Sequence, residues 1–206
     1  MTFSIAGRCT ESEEVGVVIA SSSICVASRC AFVRTDVGAA LTQNVTDPSL
    51  GPAVLDAMEQ GHGAVNALGK VISTAHQSRW RQLLAIGRTG AGAIFSGEKM
   101  LGIHAEAYGK DCVAAGNLLS NESVPGAMVS GFEQASGPLA EKLLTALKAA
   151  LDAGGEMGPV EEYYIGRKIA ARVIDEYPPV ENKAFRRKQR HAPINHSGSE
   201  TCSPTM

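Results

Sequence analysis

A chain of 206 residues, 44% hydrophobic and 19% charged, is long enough to bury one substantial core and fits a single globular domain. Its longest apolar runs, such as residues 15–20, fall far short of the roughly 20 residues a membrane-spanning helix needs, and no basic stretch followed by an apolar one marks a secretory signal. Residues 1–182 carry 14 Lys and Arg against 20 Asp and Glu, whereas residues 183–206 carry five against one, an acidic body without a nucleic-acid surface and a basic run of the solvated kind.

The first element is a strand, with Thr2, Ser4 and Ala6 on one face and Phe3 and Ile5 on the other. "CTESEE" is a polar turn, and residues 15–20 form a β-branched run suited to a strand buried on both faces. A third strand around residues 30–34 meets the turn "TDVG", and residues 39–42 form a fourth, which predicts an antiparallel meander of four short strands. The period then changes. "NVTDPSLGP" is a loop ending in a Pro placed to start a helix, where Val54, Leu55 and Met58 share a face until "GHG" interrupts. Val65, Leu68, Val71 and Ile72 repeat at helical spacing in a second helix. "WRQLLAIG" and "GAIFSG" return to strands joined at the Gly-rich turn "RTGAG", and "CVAAG" is one strand more. Helices around residues 124–132 and 139–151 follow; the second sets Leu139, Leu143, Leu144, Leu147 and Leu151 on one face and stops at "GG". Strands, two helices, strands, two helices is an α+β order that packs economically as four layers, an αββα sandwich of two mainly antiparallel sheets flanked by helices.

A Thr behind the initiator Met, a hairpin, "GVVIASSS", helices, then "LLAIGRTGAGAIFSG" resembles the N-terminal-nucleophile (Ntn) hydrolases, whose proteasome-like members share this strand order. More closely, "TFSIAGR", "GVVIASSS", "VGAALTQNVTDPSLGP", "RQLLAIG", "SGEKMLGIHAEAYGKDCVAAGNLL" and "LAEKLLTALKAALDAGGE" resemble a bacterial and archaeal family known as domain of unknown function 1028. The resemblance runs from Thr2 to about Gly158, and it implies an Ntn-hydrolase-like αββα fold with the reaction unassigned.

Thr2 is the residue to watch. A Thr hydroxyl is a poor nucleophile until a base takes its proton. With Met1 removed, the freed α-amine, of reference pKa about 8, can be that base on the same residue. With Met1 retained the nitrogen is an amide and the mechanism is lost. Thr2 is equally a β-branched residue that starts a strand. Ser4, on the same strand face, lines the cleft or positions Thr2. Acyl transfer also needs donors aimed at the developing oxyanion: Asn117 at a strand end in "AAGNLL", the backbone N–H of Gly116, or the side-chain amide of either Gln43 or Asn44. Each of these Asn and Gln residues can also serve as an ordinary turn hydrogen-bonder. By the resemblance, Ser21 stands near where a proteasome-like hydrolase carries an acid. Arg34 stands near where it keeps a base, whose charge would lower the amine's pKa; it also reads as a solvated strand-end charge. His104 in "GIHAEAYG" matches a family His, and equally fits a hydrogen-bonded core or loop histidine.

Past residue 158 the resemblance thins. The domain is read as residues 1–158, with a divergent extension over 159–182 and a basic, disordered tail over 183–206. In the extension Ile169, Val173 and Ile174 predict a short helix stopped by Pro178 and Pro179, and a divergent C-terminus can leave one sheet edge open. The five Cys (Cys9, Cys25, Cys30, Cys112, Cys202) form no CxxC pair and read as free thiols in a reducing cytoplasm. The function expected is cleavage of a small amide or N-acyl amino compound by Thr2, with no metal or organic cofactor, no membrane partner and no nucleic acid. The alternative is a catalytically silent binding or assembly protein on the same scaffold, and a homo-oligomer is compatible with either. Protein expressed in a bacterial host should begin at Thr2; an intact-mass spectrum with Met1 on every molecule would remove the self-activating mechanism.

Overall fold

Alternation in the first strand decides what lies on each side of it. In β1 (Thr2–Arg8) Phe3 and Ile5 point into one apolar core and Ser4 and Ala6 away from it. β2 (Val15–Ser21) repeats the division, with Val18 and Ala20 on the side of Phe3 and with Val15, Val17 and Ile19 on the side of Ala6. The structure is a computed structural model that describes residues 2–155 and the backbone of residues 171–174.

β1 and β2 form an antiparallel hairpin, but the expected four-strand meander does not continue from it. Residues 22–26 and the single-turn helix α1 (Ala27–Cys30) carry the chain into β3 (Ala31–Arg34) and β4 (Gly38–Asn44), which belong to a second sheet. Val26 and Cys30 in this connection are buried in the same core as Ala6, Val17 and Ile19, and their burial anchors the crossing. The second sheet is completed by β5 (Arg81–Gly87) and β6 (Ala93–Ser96), in the order β3-β4-β5-β6. The first runs β7-β8-β1-β2-β9, with β7 (His104–Tyr108), β8 (Cys112–Asn117) and β9 (Ala171–Ile174). Every pairing among the described residues is antiparallel.

Among the described residues, three apolar cores bind these elements. Phe3, Ile5, Val18, Ala20 and Ala114 of the five-stranded sheet pack with Met128 and Phe132 of α4 (Val124–Gln134) and Leu139, Leu143 and Leu147 of α5 (Leu139–Asp152). Ala6, Val17, Ile19, Val113 and Ala115 of that sheet pack against Val33, Leu41, Leu84 and Ile86 of the other. Ala40, Leu83 and Ala85 of the four-stranded sheet pack with α2 (Leu50–Glu59) and α3 (Ala64–Thr74). Each large aliphatic or aromatic side chain so buried is worth about 1.5–3 kcal/mol.

Local departures from the expected elements have physical reasons. On α5 the inward stripe is Leu139, Leu143 and Leu147 with Ala140, Ala146 and Ala150, while Leu144 is 42% exposed. On α3 Ala64 and Ala67 join Leu68 and Val71, and Val65 faces out. Helices that lie close to a sheet bury small residues in place of some large ones, and these are invisible to a search for large apolar residues. β7 is weakly marked in the sequence for a similar reason: in "HAEAY" the inward positions are only Ala105 and Ala107, while His104, Glu106 and Tyr108 are exposed. The short helix expected from Val173 and Ile174 is replaced by β9, which pairs Gly16 with Ile174 and Ile19 with Ala171; Ile169, Pro178 and Pro179 lie outside the described residues. β-branched residues suit a strand, and the edge of β2 offers unpaired backbone groups to receive one. Gly154 and Gly155, at φ 117° and 57°, end α5 as expected, Gly155 donating its N–H to Ala150 O at 2.9 Å.

The revised face of α5 is testable by chemical denaturation. Leu143→Ala should cost about 2–5 kcal/mol, and Leu144→Ala within about 0.5 kcal/mol of nothing. Equal losses would mean the helix is rotated.

Candidate active site

Antiparallel registers place four of the expected residues in one row. Thr2 pairs with Ser21 of β2 on one side and Asn117 of β8 on the other, and Asn117 pairs with His104 of β7. Cross-strand partners share a face and sit about 5 Å apart, so Ser21, Thr2, Asn117 and His104 make a row of roughly 15 Å. The row lies on the face turned toward the second sheet. Thr2 Oγ1 and Ser21 Oγ are 3.0 Å apart, in a bond either can donate, and Ser21 Oγ also accepts the Ser23 N–H at 3.2 Å.

Behind the row lies a buried polar ladder. Ser4, two residues along from Thr2, donates its hydroxyl to Gln43 Oε1 at 2.8 Å. Gln43 Nε2 donates to Gln82 Oε1 at 2.8 Å and to Ala115 O at 3.2 Å. Gln82 Nε2 donates to Ser96 Oγ at 2.9 Å and to Gly116 O at 3.3 Å, while Asn117 Nδ2 donates to Gln82 Oε1 at 3.2 Å. Ser4, Gln43 and Gln82 are fully buried, and Asn117 and Thr2 nearly so. Amides removed from water are costly unless bonded, and here each has a partner. Gln82 and Ser96 were not among the expected residues. The signal for Gln82 was its phase: in "WRQLLAIG" it alternates with Leu84 and Ile86, which are buried between the sheets.

The remaining candidates separate. Of the two adjacent amides, Gln43 enters the ladder, whereas Asn44, at φ 68°, donates Nδ2 to Trp80 O at 2.7 Å and accepts the Leu101 N–H at 3.2 Å. Leu101 O in turn accepts the Leu118 N–H at 3.0 Å, so the strand connection through residues 97–103 ties the two sheets together at the Thr2 end. Gly116 allows a close approach: a Cβ there would lie 3.0 Å from Thr2 O and 2.6 Å from Leu119 Cδ2. His104 is exposed at the end of the row, its Nδ1 3.4 Å from Gly102 O. Arg34 is elsewhere. Arg8, at the far end of β1, donates to Gly87 O; Gly87 pairs with Gly38, and Gly38 with Arg34. That puts Arg34 at the Arg8 end, roughly 20 Å along the strand from Thr2, where Asp56 at 2.7 Å and Glu59 at 2.8 Å take up its charge. Near that end, too, a surface cavity of about 350 Å³ is lined by Thr10, Glu13, Asp36, Arg88 and Thr89.

Exposed apolar side chains gather at the rim of the Thr2 end. Ile24 follows Ser21 by three residues, Val45 follows Asn44, and Leu101 and Ile103 lie on the connection that bonds Asn44, Leu118 and Leu119; all four are exposed. The row and ladder contain no Lys, Arg, Asp or Glu. Among the thiols, burial pushes Cys30 up, and it pushes Cys112 to about 12 with help from Glu133 and Asp111. Cys9 is lowered, chiefly by its bond to the Ser12 side chain.

A family model described as "Family of unknown function (DUF1028)" matches residues 2–175. The match carries on past Gly158, where the sequence resemblance thins, and takes in β9. The crystal structure of protein SPO2555 from Silicibacter pomeroyi, which carries the same family label, is similar at a TM-score of 0.73 and 26% identity, over 95% of this chain and 87% of that one. No curated protein matches.

The thiol environments give an ordered result with iodoacetamide at pH 8. Cys9 should be alkylated in the native protein, and Cys112, ionised in only about one molecule in 10⁴, only after unfolding. Peptide mapping that finds Cys112 modified first would contradict this.

Proposed function

The chain belongs to the family of unknown function DUF1028, and from that premise and the row at its strand end we propose that it is an N-terminal-nucleophile amidohydrolase. The observation that carries the reading is the 3.0 Å contact of Thr2 Oγ1 with Ser21 Oγ in one row with Asn117. Support at the level of fold comes from the cores, in which each antiparallel sheet packs against the other and against a pair of helices, an arrangement compatible with the αββα sandwich of that hydrolase class.

In this reading Met1 is removed and the α-amine of Thr2 takes the proton from Oγ1 as Oγ1 attacks the amide carbonyl. The C–O bond forms, and the negative charge goes to the carbonyl oxygen, where Asn117 Nδ2 donates to it. The amine then passes its proton to the leaving nitrogen as the C–N bond breaks. Water, deprotonated by the same amine, releases the acyl group from Oγ1. Ser21 holds the Oγ1 hydrogen bond that aims the hydroxyl. Arg34 takes no part, being at the other end of the sheet. The apolar rim of Ile24, Val45, Leu101 and Ile103 favours an N-acyl substrate whose acyl chain is hydrophobic.

One observation favours the alternative of a silent binding protein: the row and ladder hold no ionisable side chain but the exposed His104. A panel of N-acyl amino acids and acyl p-nitroanilides of two to ten acyl carbons separates the readings. Thr2→Ala should lower turnover by at least about 10³-fold while changing stability by no more than about 1 kcal/mol, and Thr2→Ser should retain part of it. Turnover undiminished in Thr2→Ala would dismiss Thr2 as nucleophile. Absence of turnover in protein that begins at Thr2 would favour binding.

A further inference from the structure

The ladder fixes which way its amides point. A backbone carbonyl can only accept, so Ala115 O requires the nitrogen end of Gln43, and Gly116 O the nitrogen end of Gln82. With both nitrogens placed, Gln82 Oε1 is left facing Gln43 Nε2 at 2.8 Å and the Asn117 side chain. Only a donor is compatible with an oxygen there, and Asn117 supplies it through Nδ2 at 3.2 Å. A flip of Asn117 would set oxygen against oxygen. A flip of Gln82 would set its nitrogen against two N–H groups and its oxygen against a carbonyl. Ser4 and Ser96, whose hydroxyls can turn, are the adaptable ends of the ladder.

We propose that Gln82 is a positioning residue that holds Asn117 in its donor orientation beside Thr2. Of the two hydrogens on Asn117 Nδ2, Gln82 engages one and thereby sets the direction of the other. The inference rests on reading Asn117 as the donor to the oxyanion, and it adds a residue that touches no substrate. It also gives Gln43 a use: its bond to Ala115 O fixes its own amide, and that amide occupies the second site on Gln82 Oε1, so the acceptor cannot swing away from Asn117.

The test compares full-length protein that begins at Thr2 with Gln82→Met, which fills the same space without a hydrogen bond, and Gln82→Glu. The first readout needs no substrate. In ¹⁵N-labelled wild type the Asn117 carboxamide should show slowly exchanging hydrogens. In Gln82→Met they should exchange at least 10-fold faster, with the backbone amides of β1 and β8 unmoved. The second readout is acylation of Thr2 by a β-lactone, followed by intact mass, and Gln82→Met should slow it at least 10-fold. In Gln82→Glu the protonated carboxyl reproduces the ladder, its carbonyl accepting and its O–H donating, whereas the carboxylate opposes Gly116 O. Its acylation rate relative to wild type should therefore fall as pH rises through the carboxyl's burial-raised pKa. This pH dependence decides the matter should Gln82→Met not fold. Unchanged carboxamide exchange in Gln82→Met, or a Glu-to-wild-type ratio flat with pH, overturns the proposal. Wild type that the β-lactone leaves unmodified counts against the hydrolase reading, while carboxamide exchange still decides the orientation of Asn117.

Discussion

Carboxamides buried between two sheets must find partners for every donor and acceptor, and the rest of this molecule is arranged around that requirement. An unsatisfied buried group costs about 1–3 kcal/mol, and the ladder joins Gln43, Gln82 and Asn117, from three strands in two sheets. A one-residue slip in any of those strands would turn its amide into the helix-facing core. The apolar contacts between the sheets, such as Ile19, Leu41 and Leu84, tolerate small shifts; the amides do not. The ladder therefore sets the relative position of the sheets, while the pairing of β1 with β8 sets Asn117 beside Thr2.

Neutrality is the second theme of the site. The expectation that Arg34 lowers the pKa of a Thr2 amine fails on distance, since Asp56 and Glu59 hold that guanidinium at the other end of the sheet. In the proposed mechanism the base is the α-amine of Thr2 itself, so the row needs no charged side chain beside it.

The phase of alternation was legible. It set Thr2, Ser4 and Ala6 on one face and Phe3 and Ile5 on the other, and it showed that residues 15–20 are buried on both sides. The mixed α+β class and the antiparallel pairing followed from turn chemistry. What could not be read was which strand belongs to which sheet, because a hairpin looks the same in either; β3 and β4 parted from β1 and β2 for that reason. Ala-lined elements such as β7 and the inward stripe of α3 gave too weak a signal. Gln82 carries no sequence signal of its own, because a single polar residue in an apolar strand stands out only once its face is known to be buried. Choosing between Gln43 and Asn44 required knowing which face lies between the sheets: Gln43 is in phase with Ala39 and Leu41, which are buried there, and Asn44 is in phase with Ala40, which faces the helices.

The central strand of the larger sheet has partners from distant parts of the chain. β1 pairs with β2 through a short turn, but its other neighbour, β8, lies more than a hundred residues later. Synthesis at roughly 5–20 residues per second leaves about 5–20 s between the emergence of Thr2 and that of Asn117. Throughout that interval the start of β1 has one flank uncovered, and the ladder does not yet exist. Asn117 is the last member of the row and ladder to emerge, so the order of strands in the sheet acts as a clock that delays closure of the site until β8 has been made.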